Sequence, residues 1–204
     1  MNRWKRISLL IVFTLIFGII AFFHESRLVK WIDNEVYEFI YASESFITTS
    51  IMLGATKLGE VWAMVCLSLI LIAYLMLKRL NIEALFFAIA MSLSSTLNPL
   101  LKNIFDRERP TLLRLIDITG FSFPSGHAMG STSYFGSIIY ILNRTDSGLS
   151  KGILIGLAAS LILMVSISRV YLGVHYPTDI IAGIIGGSFS IVLSTLILNN
   201  KLAE

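Results

Sequence analysis

The sequence has little charge and almost no cysteine. Only 14% of its 204 residues are charged and 55% are hydrophobic, whereas a soluble domain carries about 25% charged residues. This balance excludes an ordinary soluble domain and indicates a membrane protein. Cys66 is the only cysteine, so neither an intrachain disulfide nor a cysteine metal site can form. The net charge of +3 is small. Basic residues at the ends of membrane spans explain it without nucleic acid as a partner.

Long apolar runs, by contrast, recur along the whole chain. A helix needs about 20 apolar residues to cross a bilayer core, and six runs come close to that length. They are Ile7–Phe23, Val61–Leu77, Ala84–Leu101, Ala128–Leu142, Gly152–Ile167 and Ile180–Leu198. No internal repeat, low-complexity tract or long linker divides them. We therefore predict an all-α membrane protein with six transmembrane helices, forming a single integral-membrane domain over residues 1–204.

The first run and the two segments that follow it are predicted to have different structures. The first run is longer than the apolar part of a signal peptide, and no small-x-small cleavage site precedes His24, so it is interpreted as a retained signal anchor. Arg27–Tyr41 has apolar residues at 28, 32, 36, 39 and 40 with charges between them. This pattern predicts a short amphipathic helix on the membrane surface after the first span. Residues 43–59 are rich in Ser, Thr and Gly and allow at most a short interfacial helix pair.

Six spans place both termini on one side of the membrane. The number of basic residues on each side does not show which side is cytoplasmic. Eight lie on the side of the termini and eight on the other. The first span often dominates orientation, and three basic residues precede it directly. Three cations on the opposite side also look functional. We therefore predict a multi-pass protein of the cell membrane, with both termini in the cytoplasm and the functional residues on the extracytoplasmic face.

Three stretches concentrate the polar chemistry. They are "KNIFDRERP" (102–110), "PSGH" (124–127) and "SRVYLGVHYPTD" (168–179), which flank the third to sixth runs. Counting the crossings puts all three on the same face. Lys102, Arg109 and Arg169 are cations near the hydrocarbon edge, where a charge is costly unless it is paired or hydrated. Because few carboxylates lie nearby in sequence, an external anion is the natural partner, and arginines suit phosphate oxygens.

The Pro-Ser-Gly-His stretch predicts an anion site at a helix start. Proline favours the first turn of a helix, so the N–H groups of Ser125, Gly126 and His127 would lack intrahelical partners and point at the helix mouth. Gly126 would let an anion approach the backbone closely, and the Ser125 hydroxyl adds a donor. The alternative is that this stretch only forms a turn and begins a helix.

The two histidines of these stretches suggest nucleophilic chemistry. Asp179 follows His175 by four residues, and a carboxylate beside an imidazole fixes its tautomer and stabilises the cation. His175 is then a plausible nucleophile toward phosphorus, and His127 could protonate the leaving oxygen. Structural alternatives exist: Asp179 could only favour a helix dipole, and Lys102 and Arg109 could be snorkelling residues.

Other polar residues near the stretches are expected to be unimportant for the chemistry. Arg107, Glu108 and Arg114 are interpreted as solvated loop charges, and His24 has no evident partner.

Together the three stretches resemble the signature of the type 2 phosphatidic acid phosphatase superfamily, which is Lys-x6-Arg-Pro, then Pro-Ser-Gly-His, then Ser-Arg-x5-His-x3-Asp. The matching residues are Lys102, Arg109 and Pro110, then Pro124 to His127, then Ser168, Arg169, His175 and Asp179. The resemblance implies a six-span membrane phosphatase. In it, His175 becomes phosphohistidine, Asp179 assists His175, and His127 protonates the leaving lipid oxygen. It also implies that Lys102, Arg109, Ser125, Gly126 and Arg169 hold the phosphate, and that no metal or other cofactor is required.

The resemblance also implies a substrate class. The short loops are similar to those of the small bacterial members, which suggests phosphatidylglycerophosphate as the first substrate, with undecaprenyl diphosphate second and phosphatidic acid also hydrolysed. The lipid phosphate is expected to arrive sideways from the bilayer, and no obligatory protein partner is evident. Alternatives are a main role on undecaprenyl diphosphate, a vanadium haloperoxidase, which membrane spans argue against, and a non-catalytic lipid-phosphate binding or transport protein.

Overall fold

The computed structural model describes residues 2–111, 114–145, 148 and 150–198. Within these residues the chain is entirely helical outside its loops, without a β-strand. The helices are α1 (Arg3–Phe23), α2 (Arg27–Tyr41), α3 (Phe46–Leu58), α4 (Val61–Leu77), α5 (Asn81–Phe105), α6 (Gly126–Thr145), α7 (Lys151–Tyr171) and α8 (Pro177–Ile197). Each of the six predicted apolar runs coincides with a helix, and α4 has the predicted bounds.

Four helices, α1, α5, α7 and α8, are long and apolar enough to cross a membrane. The pair α3 and α4 gives a fifth candidate if it forms one span, bent by 56° at the break between the two helices. In the described part of the chain, α6 does not reach the same apolarity, so the predicted count of six spans stays a prediction.

The polarity of α6 has a physical reason, because this helix lies in the centre of the bundle. It packs against α5, α7 and α8, and its buried residues include Ser131, Thr132, Ser133 and Ser137. The Ser133 hydroxyl donates to the Ala90 carbonyl of α5 at 3.1 Å. A helix enclosed by other helices does not need an apolar surface, since its polar groups find partners inside the protein.

The amphipathic helix predicted for residues 27–41 is confirmed as α2 with the same bounds. Its start is capped by the Ser26 side chain, which accepts from the Val29 N–H at 3.3 Å. The helix packs on α7 and α8, while Leu28, Trp31 and Phe39 are exposed. Residues 43–59 form one helix, α3, rather than the suggested pair; its start is capped by the Ser45 side chain, and it packs on α7.

The loop after α5 begins with a sharp turn. Asp106 ends the helix in a left-handed conformation, with φ of 38°, which aspartate tolerates better than most residues. The turn sends the chain back over the end of the bundle, where the Ser122 N–H donates to the Arg107 carbonyl at 2.8 Å. The loop thereby covers the ends of α5 to α8, where the three polar stretches meet.

Candidate active site

The three polar stretches form one cluster, supplied by the end of α5, the loop after it, the start of α6, the end of α7 and the start of α8. His127 lies within electrostatic range of Arg169, His175, Arg109 and Lys102. Lys102 in turn interacts with Asp179. All the predicted site residues therefore belong to stretches that meet at one end of the bundle, although they span 78 positions of the sequence from 102 to 179.

His175 and Asp179 form a buried pair, with 2% and 0% of their surfaces exposed. The Nδ1 atom of His175 lies 3.3 Å from Oδ2 of Asp179. On the other side of the ring, Nε2 lies 3.2 Å from Nη1 of Arg109. A guanidinium only donates hydrogen bonds, so Nε2 must be the acceptor and Nδ1 must carry the proton toward Asp179. This geometry leaves the lone pair of Nε2 as the reactive one.

The Asp179 carboxylate is held by four donors. Its Oδ2 accepts from His175, from the Tyr176 N–H at 2.8 Å and from the Ser122 hydroxyl in a short hydrogen bond. Its Oδ1 accepts from Nη1 of Arg107 at 2.7 Å. The bond from Tyr176 also caps the start of α8. Asp179 therefore both caps the start of α8, near which the dipole alternative placed it, and orients His175.

Burial keeps His175 uncharged. Enclosure in the protein lowers the pKa of His175 to about 3, although the hydrogen bond that His175 donates to Asp179 and the negative charge of Asp179 oppose the shift. At neutral pH the imidazole is therefore neutral and its Nε2 lone pair is available. Burial also lowers the pKa of the Arg109 guanidinium, which stays charged because its ordinary pKa is above 12.

Arg109 is held in place by the loop after α5 and by the turn between α7 and α8. Its Nε donates to the Gly120 carbonyl at 2.8 Å and its Nη1 to the Val174 carbonyl at 2.9 Å. Lys102 donates a short hydrogen bond to the Phe121 carbonyl in the same loop. Both cations therefore have neutral carbonyl partners that fix their positions, and neither makes a direct salt bridge within the described residues, so both are placed to attract an anion.

Arg169 and His127 present buried polar atoms without partners. Nε of Arg169 and Nε2 of His127 are buried and have no hydrogen-bond partner among the described residues. Arg169 is anchored through Nη1, which donates a short hydrogen bond to the Thr56 hydroxyl of α3. An unpaired buried donor costs about 1–3 kcal/mol, so Nε of Arg169 favours a ligand that offers an oxygen acceptor.

The structure corrects part of the prediction for the Pro-Ser-Gly-His stretch. The helix α6 begins at Gly126, so Pro124 lies before its first turn rather than in it. The Ser125 N–H is not available for an anion, because it donates to the Asp179 carbonyl at 3.0 Å. The Ser125 side chain caps the helix, accepting from the Ala128 N–H at 3.4 Å, and its hydroxyl proton remains free to be donated. Gly126 and His127 provide the first N–H groups of the helix.

Arg107 is not a solvated loop charge, as the sequence had suggested. Only 3% of it is exposed, and its guanidinium bridges Asp179 at 2.7 Å and Asp33 at 2.9 Å while lying 3.9 Å from the centre of the Tyr176 ring. The exposure of Glu108 and Arg114 agrees with their interpretation as loop charges.

Three further residues near the site, and the partners of His24, were missed from the sequence. Asp33 of α2 is fully buried, and its only sequence signal is a charge in the stripe with Tyr37 and Ile40. Thr56 anchors Arg169. Gly59 faces the His127 ring closely, since a Cβ there would lie 2.6 Å from Cδ2 of His127. Nδ1 of His24 donates to the Ala21 carbonyl at 2.7 Å, and its ring stacks on Phe123.

An apolar cleft of about 600 Å³ leads to this cluster. It runs between α4, α5 and α6, and its walls include Val61, Leu69 and Met91. Its lining also includes Asn98, Gly126 and His127. The cleft thus joins the apolar side of the bundle to the start of α6.

Comparisons with known proteins agree with this geometry. The family model described as the PAP2 superfamily matches residues 83–202. Phosphatidylglycerophosphatase B of Bacillus subtilis is 34% identical over 135 residues, 65% of this chain and 66% of that protein. Undecaprenyl-diphosphatase of Sulfolobus acidocaldarius is 27% identical over 166 residues, 80% of this chain and 77% of that protein.

Two solved structures share the fold. The crystal structure of the first transmembrane PAP2 type phosphatidylglycerolphosphate phosphatase from Bacillus subtilis has a TM-score of 0.85 and 29% identity, and the match covers 97% of both chains. The structure of LpxE from Aquifex aeolicus has a TM-score of 0.66 and 19% identity over 78% of this chain and 92% of that one. The second likeness bears on the fold alone.

Proposed function

The chain belongs to the PAP2 superfamily, and from that premise we propose that it is a membrane lipid phosphatase that acts through a phosphohistidine intermediate. The observation that carries this proposal is the environment of His175. A neutral imidazole lies between Asp179, 3.3 Å from Nδ1, and the cation of Arg109, 3.2 Å from Nε2. Such a group can attack phosphorus and then bear the positive charge that develops.

In the first step, the Nε2 lone pair of His175 attacks the phosphorus and the bond from phosphorus to the lipid oxygen breaks. His127 donates a proton to that leaving oxygen, and Asp179 stabilises the His175 cation. In the second step, water attacks the phosphohistidine, the P–N bond breaks, and the electron pair returns to Nε2. His127 now accepts the proton of the water, and inorganic phosphate leaves.

The phosphate oxygens are proposed to meet a preorganised set of donors. Arg169 offers its unpartnered Nε, Arg109 exchanges its contact with His175 for an oxygen, and Lys102 adds a third cation. The hydroxyl of Ser125 and the N–H of Gly126 complete the set. Because these groups are already held by carbonyl and hydroxyl partners, little reorganisation accompanies binding.

The substrates are proposed to be lipid phosphates that approach from the bilayer. His127 lines the apolar cleft of about 600 Å³, so acyl or prenyl chains can occupy this cleft while the phosphate reaches the cations. We propose phosphatidylglycerophosphate as first substrate, since the relative of 34% identity is a phosphatidylglycerophosphatase B, with phosphatidic acid also hydrolysed. Undecaprenyl diphosphate is the second candidate for the main role, which the undecaprenyl-diphosphatase relative favours.

The membrane arrangement is also part of the proposal. We propose six spans in a single integral-membrane domain over residues 1–204. They are α1, the bent pair of α3 and α4, α5, α6, α7 and α8, so that α6 crosses the membrane as well. Both termini then lie in the cytoplasm and the site opens on the extracytoplasmic face. The proposed partners are the lipid phosphate and membrane lipids, with neither nucleic acid nor an obligatory protein partner.

The experiment is phosphate release by purified protein in detergent micelles. Phosphatidylglycerophosphate, phosphatidic acid, undecaprenyl diphosphate and glycerol phosphate are compared by kcat/KM. The three lipids should be hydrolysed, and glycerol phosphate should be orders of magnitude less efficient, because each buried methylene contributes about 0.8 kcal/mol. Chelator should leave the activity intact and vanadate should compete with substrate.

The role of His175 is tested in the same preparation. His175→Ala should abolish turnover, and an acid-labile phosphate label trapped on wild-type protein should map to His175. Stoichiometric lipid binding without phosphate release would favour the binding or transport alternative, and restoration by magnesium after chelation would contradict the metal-free site. Equal efficiency for glycerol phosphate and the lipids would contradict approach from the bilayer.

A further inference from the structure

The buried guanidinium of Arg107 joins two carboxylates at the end of the bundle. Nη1 donates to Asp179 at 2.7 Å and Nη2 donates to Asp33 at 2.9 Å. All three side chains are at most 3% exposed, so removing them from water is costly unless each charge is paired. The three groups therefore form one electrostatic unit, with Asp33 and Asp179 sharing the single cation between them.

Both terminal nitrogens of Arg107 are used by the protein. Besides the two carboxylates, Nη1 donates to the Thr178 hydroxyl at 2.8 Å and Nη2 to the His24 carbonyl at 3.3 Å. Its remaining Nε lies 3.9 Å from Glu25. Like Nε of Arg169, this atom is buried and has no hydrogen-bond partner among the described residues, but both Nη atoms of Arg107 are occupied by the carboxylates of Asp179 and Asp33. Arg107 is thus placed to orient Asp179 and not to bind the phosphate.

Asp33 holds two residues that contact or adjoin Asp179, namely Arg107 and Thr178. One of its oxygens accepts from the Thr178 N–H at 2.9 Å, and the other accepts from the Thr178 hydroxyl at 2.8 Å and from Arg107. Thr178 stands in the first turn of α8, immediately before Asp179, where N–H groups have no intrahelical partner. Asp33 therefore anchors the start of α8 as well as the cation beside Asp179.

Asp33 comes from α2, outside residues 83–202 that match the family. We infer that Asp33 is a positioning residue for the nucleophile, acting on His175 through Arg107 and Asp179. Its negative charge balances Arg107, so that the charge of Asp179 remains available to the His175 cation that forms during phosphoryl transfer. The inference rests on the proposed function, because it presumes that His175 attacks phosphorus.

The test is Asp33→Asn, which removes the charge and nearly preserves the shape. Glu35→Gln is the matched control, since Glu35 is an exposed carboxylate on the same helix. Release of labelled phosphate from a lipid phosphate is followed in a single turnover with enzyme in excess. At saturating enzyme, the rate constant does not depend on the fraction of protein that is folded, so a merely structural role would leave it unchanged.

We expect the single-turnover rate constant of Asp33→Asn to fall about tenfold or more, since small misplacements of reacting groups can cost about a hundredfold. The enzyme concentration for half-saturation should stay within about twofold, as Asp33 touches no phosphate-binding group, and Glu35→Gln should match wild type. A rate constant for Asp33→Asn within twofold of wild type overturns the inference, whatever the yield of folded protein.

If Asp33→Asn does not give folded protein, Arg107→Lys is measured in the same way. Lysine keeps the charge but cannot bridge two carboxylates as a guanidinium does, so the same loss is expected and an unchanged rate constant overturns the inference. The proposed function fails separately: wild-type protein would then release no phosphate from any lipid phosphate. An active wild type with a normal Asp33→Asn variant contradicts only the role of Asp33.

Discussion

At the scale of single residues, the site depends on buried polar groups whose hydrogen bonds determine their protonation. The Nη1 of Arg109 can only donate, so its contact of 3.2 Å with His175 assigns the lone pair to Nε2. The opposite nitrogen then donates to Asp179. The positive charge of Arg109 and the negative charge of Asp179 therefore decide which ring nitrogen of His175 carries the proton and which carries the lone pair.

The buried state of His175 predicts a pH dependence of stability. The folded protein lowers the pKa of His175 to about 3, whereas an unfolded chain has a histidine pKa of about 6.5. The unfolded state therefore binds the extra proton, and this contribution to stability is complete above pH 6.5 and is lost as the pH falls toward 3. At pH 5 the loss is on the order of 2 kcal/mol.

The measurement is thermal unfolding in detergent at pH 7 and pH 5, for wild type and His175→Gln. Wild type should lose more stability between these pH values than the variant, which has no imidazole at this position. Parallel losses in both proteins would contradict the assignment of a depressed pKa to His175.

Gly59 provides a second prediction at this scale. A Cβ there would lie 2.6 Å from Cδ2 of His127 and 2.7 Å from Cγ1 of Val165, so Gly59→Ala should displace the His127 ring and lower kcat for lipid phosphates about tenfold or more. Gly54→Ala is the control, because Gly54 lies in α3, the helix that Gly59 follows, and a Cβ there would have no atom within 4 Å. Equal kcat values for the two variants would show that His127 tolerates the displacement.

At the scale of helices, the close approach of α6 and α8 places the two catalytic stretches together. Glycines 183 and 187 of α8 face the backbone of α6, where Cβ atoms would lie 2.7 Å from the Ser125 carbonyl oxygen and 2.6 Å from the Met129 carbonyl oxygen. The Gly-Ile-Ile-Gly-Gly segment at residues 183–187 therefore allows two helices of the same chain to pack closely. The first of these contacts lies beside the bond from Ser125 to Asp179, so packing and site geometry are coupled.

Gly187→Ala should accordingly destabilise the protein by about 1–3 kcal/mol, the usual cost of overpacking. Gly156→Ala in α7 is the matched control, because its Cβ would have no atom within 4 Å; there alanine should be neutral or stabilising by up to about 1 kcal/mol. The midpoint of thermal unfolding in detergent compares the two. Similar midpoints would mean that the helices separate without cost.

At the scale of the whole molecule, the polar cluster lies at one end of the helical bundle. Thr111, in the loop after α5, belongs to that end, while Thr145 ends α6 at the other, and both are exposed. The proposed orientation places the first outside the cytoplasmic membrane and the second inside the cell. Labelling of introduced cysteines can therefore distinguish the two possible orientations.

Cys66 is first replaced by serine, and Thr111→Cys and Thr145→Cys are then made separately. A membrane-impermeant thiol reagent applied to intact cells should label the Thr111→Cys protein and leave the Thr145→Cys protein unlabelled. Both should react after the cells are permeabilised, which controls for local accessibility. The reverse pattern on intact cells would place the site in the cytoplasm.

The sequence by itself predicted the helices and the candidate site residues, which the structure brings together at one end of the bundle. Apolar runs have lengths set by the bilayer, and the α2 helix followed from local periodicity with the same bounds. His127, His175 and the cations were identifiable because motif spacing is a property of the chain. The number of membrane crossings was harder to predict, because α6 carries polar residues that are buried against neighbouring helices.

Only the tertiary structure decided which groups support the site. Arg107 looked solvated, and Asp33 looked like one polar residue of a surface helix, yet their contact joins positions 74 residues apart. Thr56 contacts Arg169 across 113 positions. Burial, pairing and pKa depend on what surrounds a charge in space, and no local pattern records that the chain returns there; the sequence shows which groups can react, whereas packing determines which of them are held in place.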